Sequence, residues 1–155
     1  VERITRAFRD SNGHLPTVHG ALIDLPQAWQ PTAVKYKTPH EFVVSTLRSL
    51  DFVPNTPHQV VAPFQLLGQR PYTPGSPAGW PDTAAHWDGP DALLKRIEWA
   101  TRLGERAGNR VQPIALAESS LGDALSERTR TAIARAASAA QGTTLLLASP
   151  EFLRR

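Results

Sequence analysis

The stretch LGQRPYTPGSPAGWPDTAAHW, residues 67–87, determines how this chain of 155 residues can fold. It contains prolines at positions 71, 74, 77 and 81. Each proline removes a backbone donor and fixes φ, so no regular helix can cross the segment. Gly75 and Gly79 allow the positive φ that tight turns need. The stretch is therefore predicted to be a long loop between helices.

Three large aromatic residues predict that this loop packs against the rest of the protein. Tyr72, Trp80 and Trp87 are apolar groups that a solvated linker would not carry. A long loop without secondary structure of its own is uncommon in a compact domain and usually has a functional or a structural role. Two interpretations follow: a clamp whose tryptophans fill the core, or an exposed aromatic platform for a ligand.

The composition is that of one folded domain, and it argues against a nucleic-acid partner. Hydrophobic residues make up 41% of the chain and charged residues 20%, which are globular values. The net charge of +3 comes from arginines scattered along the chain, and only Lys35, Lys37 and Lys95 are lysines. Nucleic-acid binding needs a clustered basic face with stacking aromatic residues.

Cysteine and methionine are both absent, even from position one. Disulfides and thiolate chemistry are thereby excluded. Helical sequence is already under way at residue 1, so we expect the chain to be a fragment. The compartment stays undecided, and export is possible because a leader could precede the fragment. No apolar run approaches the roughly 20 residues of a membrane-spanning helix.

Helical periodicity on both sides of the loop predicts an all-α fold. Thr38, Pro39 and Glu41 form a capping-box pattern that begins a helix, and Thr56, Pro57 and Gln59 repeat it. Strand-like alternation is absent. We expect one helical domain over residues 1–155, a bundle of short helices interrupted by one long packed loop. The predicted helices cover residues 1–9, 15–25, 38–51, 56–67 with a stop or kink at Pro63, 91–107, 113–117, 126–140 and 143–148.

Several of these helices carry detailed expectations. Residues 15–25 should turn Leu15, Val18, Leu22 and Leu25 inward. Residues 27–36 are predicted to form a connector. Within it, Trp29 should be either a core residue or a lid over a helix end. In 91–107, the buried side should consist of Leu93, Leu94, Ile97, Ala100 and Leu103, while Asp91 with Lys95 and Glu98 with Arg102 pair on the exposed side. Gly142 should end the helix over 126–140.

Several motifs resemble the bacterial domain-of-unknown-function family 1800. They are KTP (37–39) with EFV (41–43), LGQ (67–69), PAGWP (77–81) followed by Trp87, Leu93, Leu94 and Arg96, FRD (8–10), GHL (13–15), AL (21–22), AW (28–29) and LASPEF (147–152). The resemblance spans nearly the whole chain. It implies that the chain is the carboxyl-terminal portion of a longer protein with an amino-terminal helical half. It supplies no activity and no catalytic residues.

The first functional hypothesis is a non-catalytic binding or scaffolding module. Exposed aromatic residues beside hydrogen-bonding groups suit a peptide or a polysaccharide. The missing amino-terminal half is a further expected partner. No metal or cofactor is predicted, since His14 and His19 are five residues apart and do not share a helical face. The candidate ligand-binding residues are Gln69, Arg70, Tyr72, Trp80, Asp82, His86 and Trp87.

The alternative is part of a hydrolase whose active site is completed by the missing half. The common hydrolase, zinc and nucleotide motifs (HExxH, GxSxG, CxxC and the phosphate-binding Gly-Lys-Ser/Thr run) are all absent. A Ser76–His86–Asp82 set could form within the loop, although many loops contain these residue types. The catalytic residues are therefore unknown. The candidates are His14, His40, Glu41, His58, Asp82 and His86.

Overall fold

Two short α-helices and one 3₁₀ turn make up the first part of the chain. The structure, a computed structural model, describes residues 1–29 and 33–155. The chain divides into two compact units, Val1–Thr32 and Ala33–Arg155. In the first unit, α1 spans Glu2–Asp10, α2 spans Leu15–Ile23 and the 3₁₀ turn spans Pro26–Trp29. The connector predicted over residues 27–36 lies partly outside the described residues.

The first unit has no buried residue among those described, so the predicted inward face of α2 is wrong. Leu15 and Leu22 are 57% and 47% exposed. Two nine-residue helices offer each other too little surface to enclose a core. Trp29 is also exposed, and its Nε1 donates to the carbonyl oxygen of Ile23 at 2.5 Å. Of its two predicted roles, it takes that of a lid over a helix end.

The second unit is built from several short helices and one longer one, and no strand occurs in the described ranges 1–29 and 33–155. This confirms the all-α prediction. The residues Tyr36 and Arg154 form an isolated bridge. The helices are α3 (Pro39–Ser49), α4 (His58–Leu66), α5 (Ala84–Trp87), α6 (Pro90–Ala107), α7 (Pro113–Leu121), α8 (Glu127–Ala134) and α9 (Ala139–Leu147).

One of the two predicted capping boxes forms. Thr38 accepts from the backbone N–H of Glu41 at 3.3 Å, and the Glu41 carboxylate accepts from that of Thr38 at 2.8 Å. The second box does not form, because Gln59 reaches past Thr56 to accept from the N–H of Asn55 at 2.7 Å. Pro63 does not stop α4, which continues to Leu66.

The core of the second unit is centred on Phe42 of α3. The Phe42 ring lies edge-on to Trp99 at 5.5 Å and to Phe152 at 6.2 Å. Leu146 and Leu147 of α9 are fully buried beside the same cluster. Helix α9 packs on α6, α7 and α8. Phe152, close to the end of the described chain, therefore lies in the core together with α3.

Helix α6 buries Ala100 as predicted, but three other residues of the predicted buried side are exposed and a charged residue is buried instead. Leu94 is 55% exposed, whereas Arg96 is 1% exposed. The Arg96 guanidinium lies 4.8 Å from the ring centroid of Tyr36 and 5.0 Å from that of Phe42, and its Nη2 donates to the carbonyl of Lys37 at 2.8 Å. These contacts offset the cost of burying the charge. Leu93 and Ile97 are likewise partly exposed, at 37% and 38%.

The single helix predicted over 126–140 is two helices. Helix α8 ends at Ala134, and Ser138 caps α9 by accepting from the N–H of Gln141 at 3.1 Å. Gly142 does not end a helix, since it lies inside α9 and is buried. A Cβ at Gly142 would lie 2.9 Å from Pro113 Cβ, so glycine here allows close packing against α7.

The proline-rich segment follows the prediction up to its last turn. Residues 67–83 contain no helix, and α5 then closes the segment. Leu67 and Trp87 are buried at its two ends, while residues 72–78 are exposed. The loop therefore packs at its ends and projects in its middle. None of the described helices is both long and apolar enough to cross a lipid bilayer.

Candidate functional site

A groove of about 350 Å³ lies where the first part of the loop meets helices α3 and α4. Its walls combine aromatic rings with hydrogen-bonding groups. We call it the aromatic groove, and its lining residues are His40, Phe64, Gln69, Arg70, Pro71, Tyr72 and Trp80.

The capping box of α3 positions one wall of the aromatic groove. His40 lies in the first turn of α3, two residues after the cap residue Thr38. Its ring stacks on Phe64 of α4, with centroids 5.4 Å apart and planes 19° apart. Its backbone N–H donates to Gln69 Oε1 at 2.7 Å. An N–H of the first helical turn has no intrahelical partner, and the side chain from the loop supplies one. The start of the loop is thereby fixed to α3.

Trp87 anchors the other end of the loop. Its ring is only 4% exposed, and its Nε1 donates to the carbonyl of Pro81 at 2.8 Å. Trp80 is half-buried, with its ring centroid 6.0 Å from that of Trp87 and the two planes 51° apart. The edge of the exposed His86 lies against Trp87 at 4.5 Å. The two tryptophans therefore differ in role, because Trp87 is part of the core and Trp80 forms a groove wall.

Tyr72 is the most exposed large residue of the loop. It is fully accessible to solvent and has a φ of 59°. A bulky residue with a positive φ carries backbone strain, and such strain concentrates at functional sites. Arg70 is also exposed at the same rim. The rim of the aromatic groove thus presents an aromatic ring and a cation to solvent.

The structure divides the predicted ligand-binding residues into two sets. Gln69, Arg70, Tyr72 and Trp80 line the aromatic groove, whereas Asp82, His86 and Trp87 do not. Asp82 Oδ2 instead pairs with Lys35 Nζ at 2.5 Å. His40 and Phe64 line the groove but were not among the predicted ligand-binding residues. No local pattern indicates them, since both reach the loop through contacts between residues distant in sequence.

The hydrolase candidates do not assemble into a catalytic set in the described residues. Ser76 Oγ accepts from the N–H of Ala78 at 3.2 Å, Asp82 is paired with Lys35, and His86 lies against Trp87. No hydrogen bond joins Ser76, Asp82 and His86 within the described ranges. The same ranges contain no group of three or more histidine, cysteine, aspartate or glutamate side chains that could hold a metal ion.

The fold and the groove define an all-helical protein that carries a proline-rich loop with one aromatic groove. The family model described as "Protein of unknown function (DUF1800)" matches residues 1–154. The chain therefore belongs to that family, as the motifs in its sequence indicate. Comparison with curated proteins gave no match, and neither did comparison with solved structures.

Proposed function

We propose that this chain is a non-catalytic helical binding module whose aromatic groove takes an extended peptide segment. The observation that carries the proposal is the composition of the groove wall. The stacked His40–Phe64 pair, the half-buried Trp80 and the exposed Tyr72 surround the hydrogen-bonding side chain of Gln69. Concave sites lined by aromatic residues with a few polar groups are the usual form of a binding site.

The ring geometry favours a peptide over a polysaccharide. A sugar chain stacks on flat ring faces that lie open side by side, but Trp80 and Trp87 are inclined by 51° and Trp87 is buried. A peptide needs instead a pocket for side chains and a partner for its backbone. Gln69 Oε1 accepts from His40, which leaves the amide nitrogen of Gln69 to donate to a peptide carbonyl.

Two sets of residues support this function in different ways. We assign ligand contact to Gln69, Arg70, Tyr72 and Trp80, which line the groove. The supporting residues are Asp82, His86 and Trp87, which hold the second half of the loop through Lys35, Pro81 and one another.

The test is a nuclear magnetic resonance titration of the intact chain with a synthetic peptide array and a set of oligosaccharides. A peptide that binds the groove should shift the indole N–H signal of Trp80 and leave that of the buried Trp99 unchanged. Tyr72→Ala should weaken binding roughly tenfold, the scale of an interfacial aromatic side chain. Leu94→Ala is the matched control, because Leu94 is exposed but lies on α6 outside the groove. An affinity for the peptide that is unchanged by Tyr72→Ala would refute the proposal. Binding of oligosaccharides but not of peptides would change the ligand class to a polysaccharide.

The hydrolase alternative has less support, because four of its five candidate residues in the second unit engage other partners. His40 stacks on Phe64, and Glu41 Oε1 pairs with Arg155 at 2.5 Å. A hydrolytic activity that the His86→Ala variant of the longer protein loses would restore this alternative.

We also propose that the chain is the carboxyl-terminal portion of a longer protein, as its family resemblance implies, and that the first unit packs against the preceding helical half. Apolar side chains of this unit are exposed, among them Phe8, Leu22 and Ile23. A longer chain that includes the preceding segment should bind less of the apolar dye ANS than this chain. Equal dye binding by both chains would count against this partner.

A further inference from the structure

A second hollow, of about 420 Å³, opens beside helix α3 and contains an unusual lysine. Lys37, Arg48 and Arg155 line it together with the hydroxyl-bearing Ser45 and an apolar wall that includes Val44. Cations thus outnumber carboxylates here, and Glu41 provides the one carboxylate of the lining. We call this hollow the lysine pocket. It lies beyond the function proposed above, which concerns the aromatic groove.

The amine of Lys37 is held without a carboxylate partner. Its Nζ donates to Ser45 Oγ at 3.1 Å and lies 4.1 Å from the ring centroid of Phe152. The Glu41 carboxylate is engaged elsewhere, by Arg155 and by the N–H of Thr38. Throughout the described chain, no carboxylate oxygen comes within 4.0 Å of Lys37 Nζ.

The surroundings of this amine include three arginines and one histidine. Arg96 is buried and donates to the Lys37 carbonyl, while Arg48, Arg155 and the His40 ring line the same pocket. Burial lowers the pKa of Lys37 to about 8, with Arg96 acting in the same direction and the carboxylate of Glu41 opposing both. At pH 7.5 roughly a quarter of the Lys37 amines are therefore neutral, against roughly one in a thousand for an ordinary lysine.

The two other lysines of the chain provide an internal comparison. Lys35 pairs with Asp82 at 2.5 Å and Lys95 with Asp91 at 2.7 Å. The amines of Lys35 and Lys95 are thus each held in an ion pair with a carboxylate, whereas the amine of Lys37 is not. Lys37 is therefore the lysine whose amine is buried in a pocket without a carboxylate partner, and its neutral fraction is raised.

We propose that Lys37 is an acylation site that takes a short acyl group from an acyl phosphate, whose phosphate is bound by Arg48 and Arg155. The neutral Nζ attacks the carbonyl carbon, and a C–N bond forms. The C–O bond to phosphate then breaks, and phosphate leaves with the electron pair. The proton lost by the nitrogen passes to the departing phosphate, so the products are an amide and hydrogen phosphate. Guanidinium groups suit the phosphate because they bind it through paired hydrogen bonds.

The experiment treats the intact chain with acetyl phosphate at pH 7.5 and follows acetylation of each lysine by peptide mass spectrometry. Lys37 should react about tenfold faster than Lys35 or Lys95. Lys37 reacts faster because a larger fraction of its amine is neutral. The advantage is smaller than the ratio of the neutral fractions, because an amine of lower pKa is a weaker nucleophile. Equal acetylation rates at the three lysines would show that Lys37 is not a preferred acylation site. This readout uses the unmodified chain and needs no variant to fold.

A second comparison tests the class of donor. Arg48→Gln should slow acetylation of Lys37 by acetyl phosphate several-fold and leave its acetylation by the uncharged p-nitrophenyl acetate unchanged. Arg102→Gln is the matched control, since Arg102 is exposed on α6 and does not line the pocket. If Arg48→Gln changes the rate of Lys37 acetylation equally with both donors, or with neither, the assignment of an acyl phosphate is wrong.

Discussion

Replacing Gly104 with alanine tests the packing of the second unit most directly. Gly104 lies in the buried face of α6, opposite α9. A Cβ at this position would lie 2.5 Å from the carbonyl oxygen of Ala140 and 2.6 Å from Thr144 Oγ1. The Ala140 oxygen is a backbone atom, so it cannot move away as a flexible side chain would. The two helices would have to separate locally by roughly 0.5–1 Å, which forfeits a quarter to a half of the dispersion energy across that contact.

Two opposing effects decide the sign of the change. Alanine is favoured over glycine inside a helix by about 1 kcal/mol. Overpacking a well-packed core costs about 1–3 kcal/mol, and contact with a backbone atom places Gly104→Ala at the upper end. We therefore expect the free energy of unfolding to fall by about 2 kcal/mol. For a unit of this size the thermal midpoint should fall by roughly 8 °C.

The assay is urea denaturation followed by far-ultraviolet circular dichroism, together with a thermal scan. Gly20→Ala is the matched control: Gly20 also lies inside a helix, but nothing lies within 4 Å of a Cβ built there. That variant should lose no stability. If Gly104→Ala proves as stable as the original chain, the close contact between α6 and α9 does not exist and the packing argument fails.

Three further predictions concern a helix cap and two titrating groups. Ser138→Ala removes the hydroxyl that accepts from Gln141 and should lower the free energy of unfolding by about 1 kcal/mol in urea denaturation; an unchanged value would contradict the role of the cap. Burial raises the pKa of Glu151, but hydroxyl hydrogen bonds, among them that from Thr129 Oγ1 at 2.9 Å, outweigh it, so the net pKa is lowered. The carboxylate therefore favours folding above its usual pKa of about 4.3, and this contribution is lost as pH falls through the lower folded value; Glu151→Gln should flatten stability against pH in that acidic range. For Lys37, with a folded pKa of about 8, the unfolded chain binds the proton more tightly, so stability should rise between pH 8 and roughly 10.4, and Lys37→Met should remove that rise.

Several features set by neighbouring residues were predictable from the sequence, although the second predicted capping box did not form. The capping box of Thr38 and Glu41 involves residues three apart, and it formed as predicted. Gly108 ends α6 with a φ of 52°, which a glycine adopts without strain. The proline-rich loop was also predictable, because each proline excludes a helix by its own geometry. In these cases the chain needs no distant contact to determine its conformation.

Features set by distant contacts were not predictable in the same way. Arg96 was not among the residues predicted for the buried side of α6, yet Tyr36, Phe42 and the carbonyl of Lys37 lie around it. Glycine often ends a helix, but Gly142 lies inside α9. There the close approach of Pro113 from α7 leaves no room for a side chain. The sequence does not say which residues will face it across the fold.

The aromatic groove shows both kinds of feature in one segment. Its loop residues were predictable from the sequence, because aromatic residues in a proline-rich loop are uncommon. They are Gln69, Arg70, Tyr72 and Trp80. The opposite wall could not, since His40 stacks on Phe64 only after α3 and α4 have packed.

The two interpretations of the loop, clamp or platform, are not exclusive in this structure. Gln69 fixes the first end to the N–H of His40, and Trp87 buries the second end with a hydrogen bond to Pro81. Between these anchors residues 72–78 are exposed. Because prolines restrict this middle part, it loses less conformational entropy on binding than a flexible loop would. The buried ends are thus the physical reason that the exposed middle can present Tyr72 in a defined position.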